Sequence, residues 1–180
     1  NVLHVGLPTN FKSAPFADPA HTAMLRELEA AIEAVRVEGK DVPVKLRVYD
    51  SLFVPFAKWA MLLTGNYRCI LEDGVQPIRA AVHGDLALAE EVYGQVADLV
   101  IRLGADPSDM VPFAKYAAAA EGLLKPSSAA RAIDGGATSI ERVDKLVALI
   151  AAQVGVTIPE VARISKVVDA RLAGNLARAA

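Results

Sequence analysis

The stretch LKPSSAARAIDGGATSIERVDKLVALIAAQVGVTIPEVARI, from Leu124 to Ile164, carries the clearest local structural signals in the chain. Thr138 and Glu141 have the spacing of a capping box, in which each side chain accepts a hydrogen bond from a free backbone N–H of the first helical turn. Gly155 can adopt the left-handed conformation that ends a helix, and Pro159 suits the first turn of the next. The stretch therefore predicts a helix that stops at Gly155 and a second helix that begins near Pro159. The apolar positions at helical spacing on the first helix are Ile140, Val143, Val147, Ile150 and Val154.

The composition is that of a folded protein with a substantial core. The chain has 180 residues, of which 53% are hydrophobic, so it can form one domain, or one domain and part of another. Its formal charge of −2 and its dispersed basic residues favour a small-molecule or protein partner over nucleic acid. No apolar run reaches the length of about eighteen residues that spans a bilayer, and the single cysteine, Cys69, fits a reducing compartment. We therefore expect a soluble, cytoplasmic protein with no membrane contact.

Residues 1–48 combine strand and helix signals. Val2 to Leu7 is apolar and β-branched, which predicts a strand, and Pro8 to Asp18 is typical of a loop. A proline at the first helical position and an apolar stripe predict an amphipathic helix from Pro19 to Gly39. The alternation from Val42 to Val48 predicts a second strand. Because two strands and one helix leave strand edges and apolar faces uncovered, we expect an upstream segment to complete this sheet.

From residue 49 to residue 180 the pattern is helical throughout. We therefore expect a mainly α protein in which an all-α domain, 49–180, follows a short α/β segment, 1–48. The first predicted helix begins after Asp50 or Ser51 and carries the stripe Leu52, Phe56, Trp59, Leu62 and Leu63. Further predicted helices run from Asp85 to Gly104 and from near Pro107 toward Glu121.

Lys58 and Asn66 are the first candidates for chemistry. They are eight residues apart, so they lie near one face if the helix continues through Gly65. The simpler interpretation is that Lys58 extends to solvent and Asn66 is a turn residue at the end of the helix. The functional interpretation is that Lys58 lines a cleft and donates a proton, since desolvation would lower the pKa of a buried lysine toward neutrality.

The loop Pro126-Ser127-Ser128 indicates a serine cap for a short helix that starts near Ala129.

Other patterns exclude several kinds of site. No GxGxxG occurs, so the glycine-rich turn that holds a dinucleotide pyrophosphate is absent. His4, His21 and His83 have no partner at metal-ligand spacing, so no zinc site is expected, and neither GxSxG nor a cysteine–histidine pairing suggests a hydrolase.

The same stretch resembles the C-terminal domain of ketopantoate reductases, the 2-dehydropantoate 2-reductase family of pantothenate biosynthesis. The resemblance rests on the Pro-Ser-Ser entry, the Asp134-Gly135-Gly136 spacer, the Thr-x-Ile-acidic segment at Thr138 and the Gly-Val-x-x-Pro turn that ends at Pro159. It covers residues 50–172 well and the first 48 residues loosely. It implies a helical domain of the 6-phosphogluconate-dehydrogenase-like type, preceded by the remnant of a Rossmann-type domain.

This resemblance also implies an activity. A ketopantoate reductase reduces a 2-oxo acid with NADPH, and here Lys58 matches the general-acid lysine while Asn66 and Ser128 match residues that bind the substrate. The family implies a homodimer, and NADPH would be bound mainly by an upstream Rossmann domain. Two positions depart from the family pattern, because Leu62 replaces an asparagine and Ser139 replaces a glutamate.

Two alternatives remain open at this point. The departures at Leu62 and Ser139 favour a non-catalytic helical module for dimerisation or ligand sensing. A different β-hydroxyacid or opine-type dehydrogenase shares the same two-domain plan. The identity of the substrate is not determined by the sequence, because side-chain pockets depend on three-dimensional packing.

Overall fold

The computed structural model describes residues 10–42 and 44–179, and most of these residues lie in helices. The predicted mainly α class is therefore confirmed. The chain divides into two compact units, Asn1–Phe56 and Ala57–Ala180. The strand predicted from Val2 to Leu7 lies outside the described residues. No helix in the described ranges is long and apolar enough to cross a membrane.

The first unit contains a parallel strand pair connected through a helix. Strand β1, Asn10–Ser13, pairs with strand β4, Lys45–Val48, and helix α1, Pro19–Ala34, lies between them in sequence. Parallel strands need such a crossover connection. Between α1 and β4, strands β2 (Arg36–Val37) and β3 (Lys40–Asp41) form a small antiparallel pair.

Two expectations for this unit are corrected. The segment predicted as a loop contains β1, which lacks a clear apolar alternation and is stabilised by hydrogen bonds to its parallel partner. The helix ends at Ala34 rather than at Gly39, because the β2–β3 hairpin takes up the next residues. Its turn places Glu38 and Gly39 at φ values of 53° and 76°, the positive angles of a two-residue hairpin turn. The predicted start of α1 is confirmed, since the Asp18 carboxylate accepts the N–H of Ala20 at 2.8 Å.

The second unit is helical apart from one isolated bridge between Ile70 and Val75. Its elements are α2 (Lys58–Met61), a π-helix (Leu62–Asn66), α3 (Ile78–His83), α4 (Leu86–Arg102), a 3₁₀ turn (Pro107–Asp109), α5 (Phe113–Ala120), α6 (Ser128–Asp134), α7 (Val143–Gln153) and α8 (Pro159–Ala179). Helix α4 matches its prediction: Asp85 accepts the N–H of Leu88 at 3.0 Å, and Gly104 follows the helix at a φ of 112°. The buried face of α4 consists of Ala89, Val92, Tyr93, Val96, Leu99 and Val100.

Two predicted helices are shorter than expected. Residues 52–57 form turns, and the first helix of the second unit begins only at Lys58. Ser51 still accepts the N–H of Phe53 at 3.1 Å, but Pro55 can donate no backbone hydrogen bond to extend a helix there. The helix expected from Pro107 to Glu121 is interrupted before Phe113, because Pro112 keeps the preceding residue out of the helical conformation.

The end of α7 follows the sequence signal closely. Gly155 has a φ of 71°, its N–H bonds to the carbonyl of Ala152 at 3.1 Å, and the N–H of Val156 bonds to that of Ala151 at 2.8 Å. These two bonds form a Schellman motif. Pro159 is the first residue of α8, as predicted.

The start of α7 does not follow the predicted capping box. The helix begins at Val143, beyond both Thr138 and Glu141. The hydroxyl of Tyr67 accepts the N–H of Val143 at 3.1 Å and donates to the carbonyl of Glu141 at 2.5 Å. Tyr67 is only 3% exposed, so a distant buried side chain, rather than a local one, caps this helix.

Removal of this hydroxyl should destabilise the second unit. We expect Tyr67→Phe to lower the free energy of unfolding by about 2 kcal/mol, because it leaves one backbone donor and one acceptor without partners. Urea unfolding followed by far-ultraviolet circular dichroism would measure the loss. Tyr49→Phe, at a partly exposed tyrosine of the first unit, is the control. Equal losses in the two variants would contradict the capping role.

Candidate functional site

Lys58 and Asn66 lie at the two ends of one continuous helical segment. Lys58 is the first residue of α2, and Asn66 is the last residue of the π-helix that follows. The side chain of Lys58 is exposed and that of Asn66 is partly exposed, whereas Trp59 and Leu63 are 6% and 0% exposed. Both candidate side chains are thus open to solvent. Lys58 is therefore not the buried lysine that the functional interpretation requires.

The π-helix changes the relation between these two residues. In an α-helix, two side chains eight residues apart point in directions that differ by about 80° around the helix axis. Here the N–H of Tyr67 bonds to the carbonyl of Leu62 at 2.9 Å, which is the five-residue spacing of a π-helix. Each residue of a π-helix contributes a smaller rotation, so Asn66 lies closer to the face of Lys58 than a continuous α-helix would allow. Such turns are frequent at functional sites.

Gly65 permits the tight packing of the π-helix. A Cβ atom on Gly65 would lie 2.0 Å from the Tyr116 hydroxyl oxygen and 3.1 Å from Cγ2 of Ile78. The Tyr116 hydroxyl occupies this space and donates to the carbonyl of Met61 at 3.1 Å. A side chain at position 65 would therefore have to displace a buried tyrosine.

The Pro-Ser-Ser loop contacts the end of the π-helix. Ser127 caps α6 as predicted, accepting the N–H of Ala130 at 3.1 Å. Its hydroxyl also donates to the carbonyl of Asn66 at 2.7 Å. Ser128, the first residue of α6, is exposed, and its hydroxyl accepts a long hydrogen bond of 3.4 Å from Arg131. The fold thus joins two segments that are 61 residues apart in sequence.

Buried neutral groups lie beneath this junction. Cys69 is 0% exposed, and burial raises the pKa of its thiol although hydrogen bonding with the backbone and side chain of Ser127 acts in the opposite direction. Burial likewise raises the pKa of the Tyr116 phenol. At neutral pH both groups are therefore uncharged, so neither is an activated nucleophile.

An ion-pair network at the start of α7 was not predicted from the sequence. Arg142 contacts Asp144 at 2.7 Å and Asp169 at 2.5 Å, and Lys145 contacts Asp169 at 2.9 Å. The Asp144 side chain is 0% exposed. Hydrogen bonds to Asp144 are the main reason that the pKa of Arg142 is raised, while its burial opposes the shift. A carboxylate two residues after an arginine, at the start of an apolar helix, was the only signal for this pair.

The positions at which the chain departs from the ketopantoate reductase pattern also have clear locations. Leu62 begins the π-helix and is partly exposed, so an apolar side chain lies where the resemblance would predict a polar one. Ser139 is exposed and lies in the irregular segment before α7. Glu141 is exposed too, and its backbone carbonyl is held by Tyr67.

The start of helix α1 is unfavourable for the pyrophosphate of NADPH. The helix of the strand–helix–strand unit, α1, has the Asp18 carboxylate on the N–H of Ala20 in its first turn. A negative charge at this position would repel a phosphate that the N–H groups of this turn would otherwise attract. Among residues 10–42 and 44–179, no three histidine, cysteine or acidic side chains are grouped so that they could hold a metal ion.

Each unit also has a surface hollow lined by described residues away from these candidates. A hollow of about 340 Å³ in the second unit and one of about 440 Å³ in the first do not include Lys58, Asn66 or Ser128 in their linings. The hollow in the second unit is lined by Glu72, Asp73, Ala170, Arg171, Gly174 and Arg178. The hollow in the first unit is lined by Phe16, His21, Met24, Leu25 and Leu28.

No protein-family model matches this chain, and no curated protein or solved structure matches it significantly.

Proposed function

We propose that this chain supplies the helical substrate domain of an NADPH-dependent 2-oxo acid reductase of the ketopantoate reductase type. In this proposal residues 57–180 form a domain of the 6-phosphogluconate-dehydrogenase-like type, and the β1–α1–β4 unit is part of a Rossmann-type sheet. The observation that carries the proposal is the 2.7 Å hydrogen bond from Ser127 to Asn66. It joins the two segments that bear the candidate substrate contacts.

Each candidate side chain has a role that its chemistry permits. The exposed ammonium group of Lys58 would donate a proton to the substrate oxygen as the 2-oxo carbon is reduced. The hydroxyl of Ser128 would donate a hydrogen bond to the substrate carboxylate, and the Asn66 amide would orient the substrate. With Leu62 and Ser139 at two positions that are polar in the family, fewer hydrogen bonds would hold the substrate than in other ketopantoate reductases.

The nucleotide and the partner subunit belong to the proposal as well. NADPH supplies the hydride when it is bound, and its site would be provided by a nucleotide-binding segment outside these 180 residues. A homodimer is supported by exposed leucines on α7, where Leu146 and Leu149 are 46% and 66% exposed. A cytoplasmic location is compatible with Cys69, which is a free, buried thiol.

Binding experiments on the 180-residue chain test this proposal. We expect ketopantoate, or another 2-oxo acid of a small panel, to bind, and we expect Lys58→Ala to weaken the affinity about tenfold through loss of a charge-assisted hydrogen bond. Isothermal titration calorimetry would measure both affinities. Lys115→Ala, which removes an exposed lysine from α5, is the matched control and should bind like the parent chain. A result in which no 2-oxo acid binds would refute the proposal.

A non-catalytic ligand-binding module is the second candidate. The exposure of Lys58 favours it, because a catalytic lysine is expected to be buried. Leu62 and Ser139 favour it as well, because they lie where the resembling family has an asparagine and a glutamate. Such a module would bind a 2-oxo acid through Ser128 with no dependence on Lys58. Equal affinities of Lys58→Ala and Lys115→Ala would therefore favour the module over the reductase.

A further inference from the structure

Ser127 links the two segments that carry the candidate substrate contacts. Its side chain is only 3% exposed, and its hydroxyl donates to the Asn66 carbonyl while it accepts the N–H of Ala130. A serine hydroxyl has one proton to donate. Ser127 donates that proton to the carbonyl of Asn66 at the end of the π-helix, and a lone pair of the same oxygen accepts the N–H of Ala130 at the start of α6.

The carbonyl of Asn66 depends on this hydroxyl because its usual helical donors bond elsewhere. In an α-helix the carbonyl of residue 66 would accept the N–H of residue 70. Here the N–H of Ile70 bonds to the carbonyl of Tyr67 at 3.0 Å, and the N–H of Leu71 bonds to the carbonyl of Gly74 at 3.3 Å. The Ser127 hydroxyl thus replaces the donor that the chain itself would otherwise provide.

The buried surroundings of Ser127 exclude water from its hydrogen bond to Asn66. Cys69 and Ala130 are both 0% exposed, so bulk water does not reach the hydroxyl to replace it. Ser128 follows directly as the first residue of α6 and is exposed. The residue directly before Ser128 is therefore bonded to the backbone of Asn66 through a buried hydroxyl.

We infer that Ser127 is a positioning residue that holds Asn66 and Ser128 at a fixed separation, so that both can contact one 2-oxo acid. The substrate part of this inference rests on the proposed function. The coupling of the two segments does not, because it follows from the hydrogen bonds of Ser127 alone. Ser127 itself does not contact the substrate in this arrangement.

Nuclear magnetic resonance and calorimetry on the 180-residue chain test the inference. The variants are Ser127→Ala, which removes the hydroxyl, Ser127→Thr, which retains it, and Ser108→Ala, which changes an exposed serine of the 3₁₀ turn. In Ser127→Ala we expect the side-chain amide signal of Asn66 to shift and the affinity for ketopantoate to fall about tenfold. Ser127→Thr should restore both, and Ser108→Ala should change neither.

The possible results separate positioning from simple helix capping. If Ser127→Ala speeds hydrogen exchange at Ala130 but leaves the Asn66 signal and the affinity unchanged, Ser127 is only a cap and the inference is wrong. If the parent chain binds no 2-oxo acid, the proposed function fails, and the Asn66 signal alone decides the coupling. A shift in Ser127→Ala that Ser127→Thr reverses supports the coupling, and an unshifted signal overturns it.

Discussion

Replacement of Arg142 by methionine is expected to lower the free energy of unfolding by about 3–5 kcal/mol, the usual effect of removing one partner from a buried ion pair. The side chain of Asp144 is completely buried, and Arg142 contacts its carboxylate through both Nε, at 2.9 Å, and Nη2, at 2.7 Å. Methionine keeps much of the length of arginine but provides no donor. The carboxylate would therefore remain buried without a countercharge. Urea unfolding monitored by circular dichroism measures the difference.

Two further variants make this result interpretable. Lys145→Met removes a partner of Asp169 that is 48% exposed, and we expect it to change stability by at most about 1 kcal/mol. The double variant Arg142→Met/Asp144→Leu removes the buried charge as well, so it should recover much of the stability lost in Arg142→Met. If Arg142→Met is no less stable than Lys145→Met, the network does not contribute as described.

Gly65→Ala is expected to destabilise the second unit by about 3 kcal/mol, since overpacking of a filled site has effects of this order. The new Cβ would lie 2.0 Å from the hydroxyl oxygen of Tyr116. To avoid the clash, Tyr116 would have to move, and its hydrogen bond to the carbonyl of Met61 would be lost. The midpoint of urea unfolding would fall accordingly.

Gly94 provides a matched control for this substitution. It lies within α4, and nothing is found within 4 Å of a Cβ built on it. Gly94→Ala should therefore raise stability by about 0.5–1 kcal/mol through helix propensity alone. The double variant Gly65→Ala/Tyr116→Phe removes the clashing oxygen and should be more stable than Gly65→Ala. A Gly65→Ala variant that behaves like Gly94→Ala would show that the π-helix does not need glycine.

Local signals predicted the ends of several helices correctly. Asp18 and Asp85 each cap the helix that follows, Gly155 ends α7, and Pro159 begins α8. Each of these features depends on atoms within a few residues of one another, so the sequence contains the required information. The buried face of α4 was predictable for the same reason, because its apolar residues repeat at the period of the helix.

Features that depend on distant residues were missed or predicted wrongly. The Thr138–Glu141 capping box was wrong because Tyr67 reaches the start of α7 from another part of the fold. The close packing of Tyr116 against Gly65 in the π-helix could not be predicted, because the two residues are far apart in the sequence. The ion pair that buries Asp144 also escaped prediction, since its burial comes from tertiary packing.

The sequence alone predicted the mainly α class and several helix boundaries correctly. It also suggested Lys58, Asn66 and Ser128 as candidate site residues, and their roles, which come from a family resemblance, remain a prediction. Only the tertiary structure determined that Ser127 joins Asn66 to the start of α6, and that Lys58 is exposed. The physical reason is the range of the interactions. Helix propensity and capping by adjacent residues act between near neighbours in the chain, whereas burial and hydrogen bonds between distant segments form only after the helices have packed.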